Sequence, residues 1–418
     1  MQGRLDIFQR TMLHWNDLHP YNAIDVVKLP GPPDAGRLQR AIDDTLERHG
    51  LTGLAMDASR RRYQYRGDRS SAVIEARQSL NAEIERQLNT GFARGDRFSP
   101  FRFFVVPEKD TFYLGLVYFH VVADDAAVTQ LMKDIVDAYA GQSEPPAFEL
   151  YPARSCLRGS LRKIASLPAL IRQLKSSCRP PCRDIEDLRN DFVLFTLRPD
   201  LLCVLIAAAR RLGATVNDLF LAALLKSVSP LAPGRFTASR RRNLSVGCIV
   251  DVRRDLGLGS RRSFGVHLGS FVVTHAVPDG VSIEELARDV RSQTLAIKHD
   301  RLYLGMVLEL AFVRLLLPVF SETQRKKIYR TNYPLWAGVT NMNLNSLWPA
   351  GDTRMPLDYI RAVSTGPAAP LVLSITTFRD AVNIGVSYRP AVFTASDIET
   401  IQTGFQAAIN QLNPATAA

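Results

Sequence analysis

The sequence predicts a mixed α+β fold repeated in two lobes, and three observations predict it. Strand-like and helix-like patterns occur in both halves without strict βα alternation, which argues against one doubly wound parallel sheet. A stretch rich in Pro, Ser and Arg, residues 142–191, separates the two sets. At 418 residues and 46% hydrophobic content, the chain is long enough for two or three cores of roughly 100–200 residues each. The reading places an N-terminal lobe at 1–150, a basic linker at 151–190 and a C-terminal lobe at 191–418.

The elements follow from local pattern. Residues 8–18 read as a helix with Phe8, Met12 and Trp15 on one face, broken by His19-Pro20-Tyr21-Asn22 before a strand over 23–29. Gly31-Pro32-Pro33-Asp34 is a turn that caps a helix over 35–49, whose core positions are Leu38, Ile42 and Leu46. Residues 101–106 and 111–119 form a hairpin around Pro107-Glu108-Lys109-Asp110. Val128, Leu131, Met132, Ile135, Val136 and Tyr139 then recur at helical spacing, and Gly141 ends that helix. In the second half, strands are expected at 192–197, 243–250 and 271–275, and helices at 201–212, 215–227 (capped by Thr215) and 283–298. A hairpin at 371–378 and 381–388 and a helix at 395–412 close the chain.

Composition excludes several classes of function. The charged fraction of 22%, with 20 Phe and 12 Tyr, is that of a folded protein. Five Cys make no disulfide framework, and the charged start MQGRLDIFQR is no secretory signal, so a cytoplasmic protein is the expectation. The apolar window at 303–320 carries Glu309, Arg314 and Pro318 and reads as a buried or interfacial helix, not a span. The net charge of +11 is clustered, most of all at 154–183, where apolar residues recur at helical spacing. Such a segment suits peripheral contact with an anionic membrane or an acidic partner; a solvated linker helix is the alternative. Nucleic acid is not expected, because no recognition motif accompanies the charge.

Motif tests are mostly negative. The phosphate-binding loop, a complete G-x-G-x-x-G, H-E-x-x-H and G-x-S-x-G are all absent. Cys178 and Cys182 lack a second ligand pair, so no metal site is expected. His49 reads as a cation at a helix C-terminus, and His267 lies in a glycine-flanked loop. His120 is different: an apolar strand delivers it at its end, and Asp124 stands four residues on at the mouth of the amphipathic helix. An oriented neutral imidazole there can act as a general base, while Asp124 caps the helix or pairs with an arginine. From H-x-x-x-D alone, an N-cap beside an incidental histidine is the competing reading.

Four segments in order bear a wider likeness. Phe119-His120-Val121-Val122-Ala123-Asp124-Asp125 is similar to the H-H-x-x-x-D-G mark of the chloramphenicol-acetyltransferase-like superfamily, with Phe119 for the first histidine and Asp125 for the glycine. The run from Ala214 to Leu224 and Val250-Asp251-Val252-Arg253-Arg254 resemble segments of its wax ester synthase/diacylglycerol acyltransferase group and condensation-domain-like acyltransferases. Thr340-Asn341-Met342-Asn343 resembles its second-lobe segment without the usual glycine-proline.

The resemblance implies two lobes, each a mixed sheet with packed helices, meeting in a V around a tunnel. It implies an O-acyltransferase of lipid or secondary metabolism, with His120 as general base and Asp124, Asp251 and Arg253 as orienting residues. Thr340, Asn341, Ser374 and Thr376 are the oxyanion or tunnel candidates, and Arg254 and Arg261 the candidates for a donor phosphate. No cofactor is expected to be permanently bound. The co-substrate implied is a coenzyme A or phosphopantetheine thioester, as acyl-CoA or acyl carrier protein, with a hydroxyl or amine acceptor. Amide formation and non-catalytic docking of carriers or lipid remain the other readings.

Overall fold

A computed structural model of the chain describes residues 2–57, 59–67, 73–76, 78–93, 95–142, 145–150, 168, 172–173, 175–238, 240–259, 261–316, 333–348 and 356–413. Their contacts divide the chain into two units, one of Met1–Cys156, Asp251–Leu268 and Asn343–Ser364, the other of Leu157–Val250, Gly269–Met342 and Thr365–Ala418.

The first unit contains β1 (Gln2–Arg4), α1 (Ile7–Leu18), β2 (Asn22–Pro30), α2 (Ala35–Arg48), β3 (Leu54–Met56), β4 (Arg62–Tyr65) and β5 (Val73–Glu75). It continues through α3 (Leu80–Asn89), β6 (Phe101–Pro107), β7 (Thr111–Phe119), α4 (Asp125–Tyr139) and β8 (Glu149–Leu150). Later chain adds β11 (Ser263–Phe264) and β14 (Asp358–Val363). Its main sheet has the order β14-β2-β7-β6-β5, antiparallel except where β5 runs with β6. Strands β1-β4-β3 form a small antiparallel sheet, and β8 and β11 a parallel pair.

Local chemistry sets these elements. Asp6 and Gln9 form a reciprocal capping box on α1. Asp34 caps α2, whose Leu38, Ile42 and Leu46 are buried as their spacing predicts and which packs against α4. Gly115 of β7 lies opposite Phe104 of β6, and a Cβ there would fall 2.1 Å from the Phe104 ring. The ring occupies the space a side chain would need.

The second unit holds β9 (Asp191–Leu197), α5 (Pro199–Leu212), α6 (Val216–Val228), β10 (Leu244–Asp251), β12 (Leu268–His275), α7 (Ile283–His299) and α8 (Met306–Leu316). It ends with β13 (Ala337–Asn343), β15 (Leu371–Phe378), β16 (Ala381–Tyr388) and α9 (Ala395–Asn410). Its sheet runs β12-β10-β13-β15-β16-β9, with β10 and β13 parallel and β15-β16-β9 antiparallel. Thr215 caps α6 in a capping box with Asp218. The helix is almost wholly apolar from Leu219 to Leu225 because α5, α7 and α9 cover it.

Three expectations change. Residues 251–268 and 343–364, read as part of the C-terminal lobe, belong to the first unit: β14 pairs with β2 from Asp358↔Lys28 to Val363↔Ala23, and β11 pairs with β8. The linker reading fails over its described end. Ser177 bridges Asn243, and Ser177 and Asn190 are fully buried, so this stretch is built into the second unit. The rest of the expected basic amphipathic segment, 151–167, 169–171 and 174, lies outside the described residues, as does 317–320 of the apolar window. His49, third, ends α2 as its position predicts but is tied into the core. Its ring is buried, Nε2 donates to Asp134 Oδ2 at 2.9 Å, and Nδ1 accepts the Phe148 N–H at 3.2 Å. Among the described residues no helix is long and apolar enough to cross a membrane.

Candidate active site

Strand β7 runs through the middle of the five-stranded sheet and carries the chain to His120. Alternation along a strand sends Phe119 one way and Tyr118 the other. Phe119 is fully buried between Phe92 and Phe98, each with ring centroids 5.8 Å away, so the position of the motif's first histidine is a core aromatic here.

His120 is 6% exposed and held on three sides. Its Nδ1 lies 2.9 Å from the Ala123 carbonyl, which can only accept, so Nδ1 carries the proton in this contact. That leaves the Nε2 lone pair, which no described residue engages. Tyr21 stacks on the ring at 5.5 Å and 16°, and Tyr118 meets it edge-on at 5.5 Å and 82°. Gln9 of α1 donates to the Val121 carbonyl at 2.9 Å and pins the loop from outside. A neutral imidazole with one nitrogen tied to backbone and the other open is the tautomer a general base requires.

Asp124 is fully buried and ends the loop. Its Oδ1 accepts the Ala127 N–H at 3.0 Å, which caps α4, and Arg253 Nη2 at 2.8 Å. Its Oδ2 accepts Arg253 Nη1 at 3.0 Å and the His267 N–H at 2.7 Å. Burial alone would raise this carboxyl, but the Arg253 guanidinium outweighs it and holds the group below its ordinary value. Arg253, also buried, reaches Ser263 Oγ at 3.1 Å and the half-exposed Asp251 at 3.2 Å. Desolvation opposes its charge, yet Asp124 and then Asp251 more than compensate and raise it.

The Asp124 N–H donates to the carbonyl of Gly265, whose φ of +149° suits only glycine. His267 braces the same loop through its backbone, while its Nε2 is buried without a partner among the described residues; burial is the main cause of its lowered pKa, with Asp124 opposing. Arg254 is exposed, and Arg261 sits 3.4 Å from Glu149.

The first unit thus brings together His120, Asp124, Asp251 and Arg253. Thr340, Asn341, Ser374 and Thr376 fall in the second unit, on β13 and β15. There Asn341 donates to Asn217 at 3.4 Å, and the buried Ser374 hydroxyl has no partner among the described residues. The sequence reading passed over Tyr21, Tyr118, Asp25 and Arg361. Tyr118 was legible, since it shares a strand face with His120 two residues on. Arg361, 241 residues beyond His120, carried no local signal. No cluster of three metal-ligating side chains occurs among the described residues.

No protein-family model matches the sequence, and no curated protein matches it. The structure compares with solved ones over nearly its whole length. The condensation domain from monacolin K polyketide synthase aligns at TM-score 0.69 and 15% identity, covering 99% of this chain and 98% of that one. The first condensation domain of the CDA synthetase aligns at 0.66 and 16%, covering 99% and 96%. Polyketide synthase associated protein 5 from Mycobacterium tuberculosis aligns at 0.66 and 14%, covering 98% and 99%. The chain has the condensation-domain fold. It is a mixed α+β architecture, and in this fold His120 occupies the loop between β7 and α4.

Proposed function

We propose that the protein is an O-acyltransferase that moves an acyl group from a thioester, acyl-CoA or an acyl carrier protein, to a hydroxyl acceptor. The observation that carries this reading is the His120 imidazole, fixed through Nδ1 to the Ala123 carbonyl with Nε2 left open. In the reaction Nε2 takes the acceptor proton as its oxygen attacks the thioester carbonyl. The carbonyl π electrons move to oxygen, return as the carbon–sulfur bond breaks, and the imidazolium hands its proton to the leaving thiolate. Base catalysis contributes about 10²–10⁴-fold, and a ring locked on three sides supplies the positioning that multiplies it. Asp124 and Arg253 keep the loop in place and handle no protons, since their charges satisfy each other. Arg254 and Arg261, both exposed, are the candidates for a donor phosphate. No cofactor is required.

The similarity to condensation domains favours a second reading, in which the donor is carrier-bound and the acceptor an amine. The test is mass spectrometry of products from wild type and His120→Ala, with coenzyme A and carrier thioesters offered to alcohols and amines. Ester formation that His120→Ala abolishes is expected. Amide alone selects the second reading, and no product from wild type with any pair selects a docking role for carriers or lipid. Peripheral membrane contact is tested by liposome sedimentation at low and high salt, where binding lost in salt supports it.

A further inference from the structure

The residue in the motif's glycine position is not idle. The face of the main sheet beneath α4 carries a buried polar layer: Asp25 of β2, Tyr118 of β7, and Tyr359 and Arg361 of β14, met by Asp125 and Thr129 one turn apart on the helix. Register places Arg361 directly beside Asp25, and Ala23 beside Tyr118. Asp125 Oδ1 accepts the Tyr118 hydroxyl at 2.5 Å, and its Oδ2 pairs with Arg361, whose side chain is 2% exposed. Asp25 Oδ2 takes the Tyr359 hydroxyl at 2.7 Å and the Thr129 hydroxyl at 3.2 Å, while its Oδ1 has no partner among the described residues.

Tyr118 is fully buried, and Asp125 is the acceptor for its hydroxyl. The same ring makes the edge-on contact with His120. A glycine at 125 would remove the acceptor that Tyr118 and Arg361 share. A carboxylate that served only the helix dipole would need neither of them.

We propose that Asp125 is a positioning residue for His120: anchored by Arg361 of β14, it fixes the Tyr118 ring against the imidazole and thereby aims Nε2. The inference rests on His120 being the base of the proposed reaction. It makes the departure from glycine part of the site, and makes β14, distant in sequence, the outer support of the catalytic loop.

The experiment is a double-mutant cycle on the full chain: Tyr118→Phe, Asp125→Ala and both together, read by steady-state kinetics and by the imidazole ¹⁵N resonances of His120. Tyr118→Phe keeps the ring and loses only the anchor, so it keeps the proposal testable should Asp125→Ala fail to fold. Expected are kcat losses of about 10- to 100-fold with KM unchanged, as for small misplacements of a reacting group. The double variant should lose no more than Asp125→Ala alone, because the hydroxyl acts through the carboxylate. The resonances should pass from one Nδ1–H tautomer in wild type to a mixture in each variant. Additive losses, or a wild-type tautomer with unchanged kcat in Tyr118→Phe, would overturn the proposal. If wild type transfers no acyl group to any acceptor, the functional reading fails, and the tautomer shift still decides whether Asp125 positions the ring.

Discussion

Replacing Asp124 with Asn separates two roles that its place at the start of α4 confounds. Asn caps a helix about as well as Asp, so a residue that only caps would lose less than about 0.5 kcal/mol. In the structure the carboxylate also faces the Arg253 guanidinium through both oxygens, at 2.8 and 3.0 Å, and neither partner is appreciably exposed. Asn removes the charge and turns an N–H toward one of the donors. The guanidinium keeps Asp251 at 3.2 Å, but that carboxylate is 47% exposed and replaces little of the buried pair. Breaking such a pair costs about 3–5 kcal/mol, and the remaining contact points to about 3.

Urea unfolding followed by near-ultraviolet circular dichroism reads this as a midpoint lower by about 1 M at a slope of about 3 kcal/mol/M. The loss is specific to the charge, so Arg253→Met added to Asp124→Asn should recover part of it. The sign with pH is fixed as well. A carboxyl held below its unfolded value stabilises the fold above about pH 4 and ceases to do so as pH falls through its folded pKa. The gap between wild type and Asp124→Asn should therefore be widest near neutrality and close in acid. A midpoint unmoved at pH 7 would refute the ion-pair account and leave Asp124 a cap.

Two further outcomes follow from the same unit. Asp25 runs the other way: burial, with Asp125 adding and Arg361, Tyr359 and Thr129 opposing, pushes it up to about 7. Its contribution to stability is full below about pH 4 and lost as pH rises through 7, so Asp25→Asn should flatten the fall in stability over that window, measured by urea unfolding across pH; an unchanged slope would show that Asp25 is not its source. Gly115→Ala drives a Cβ into the Phe104 ring and should cost about 1–3 kcal/mol or more in thermal unfolding, whereas an unshifted transition would mean that the β6–β7 pair adjusts freely.

What could be read from the sequence was local. The step pattern of α4, the cap at Thr215 and the hairpin of β6 and β7 are each written in a few consecutive residues. The stretch Asp358–Val363, DYIRAV, shows no alternation because every residue after the first is buried, and its place beside β2 depends on chain more than 300 residues away. The same distance hid the site's outer half. Asp124 could be expected to seek an arginine because a buried carboxylate at a helix start must be paired, and two candidates stood in one short segment, Arg253 and Arg254; packing chose Arg253 and left Arg254 exposed.

Asp125 offered no such argument. Taken with its neighbours alone, it is a departure from a motif and a reason to question activity. Beside Arg361 and under the Tyr118 hydroxyl, its charge is matched and its acceptors are used, which is the arrangement that lets a carboxylate stand where a glycine would otherwise be needed. A motif position therefore has to be judged together with the strand that packs on it. Here that strand is β14, and its arginine turns the substitution from a defect into a support.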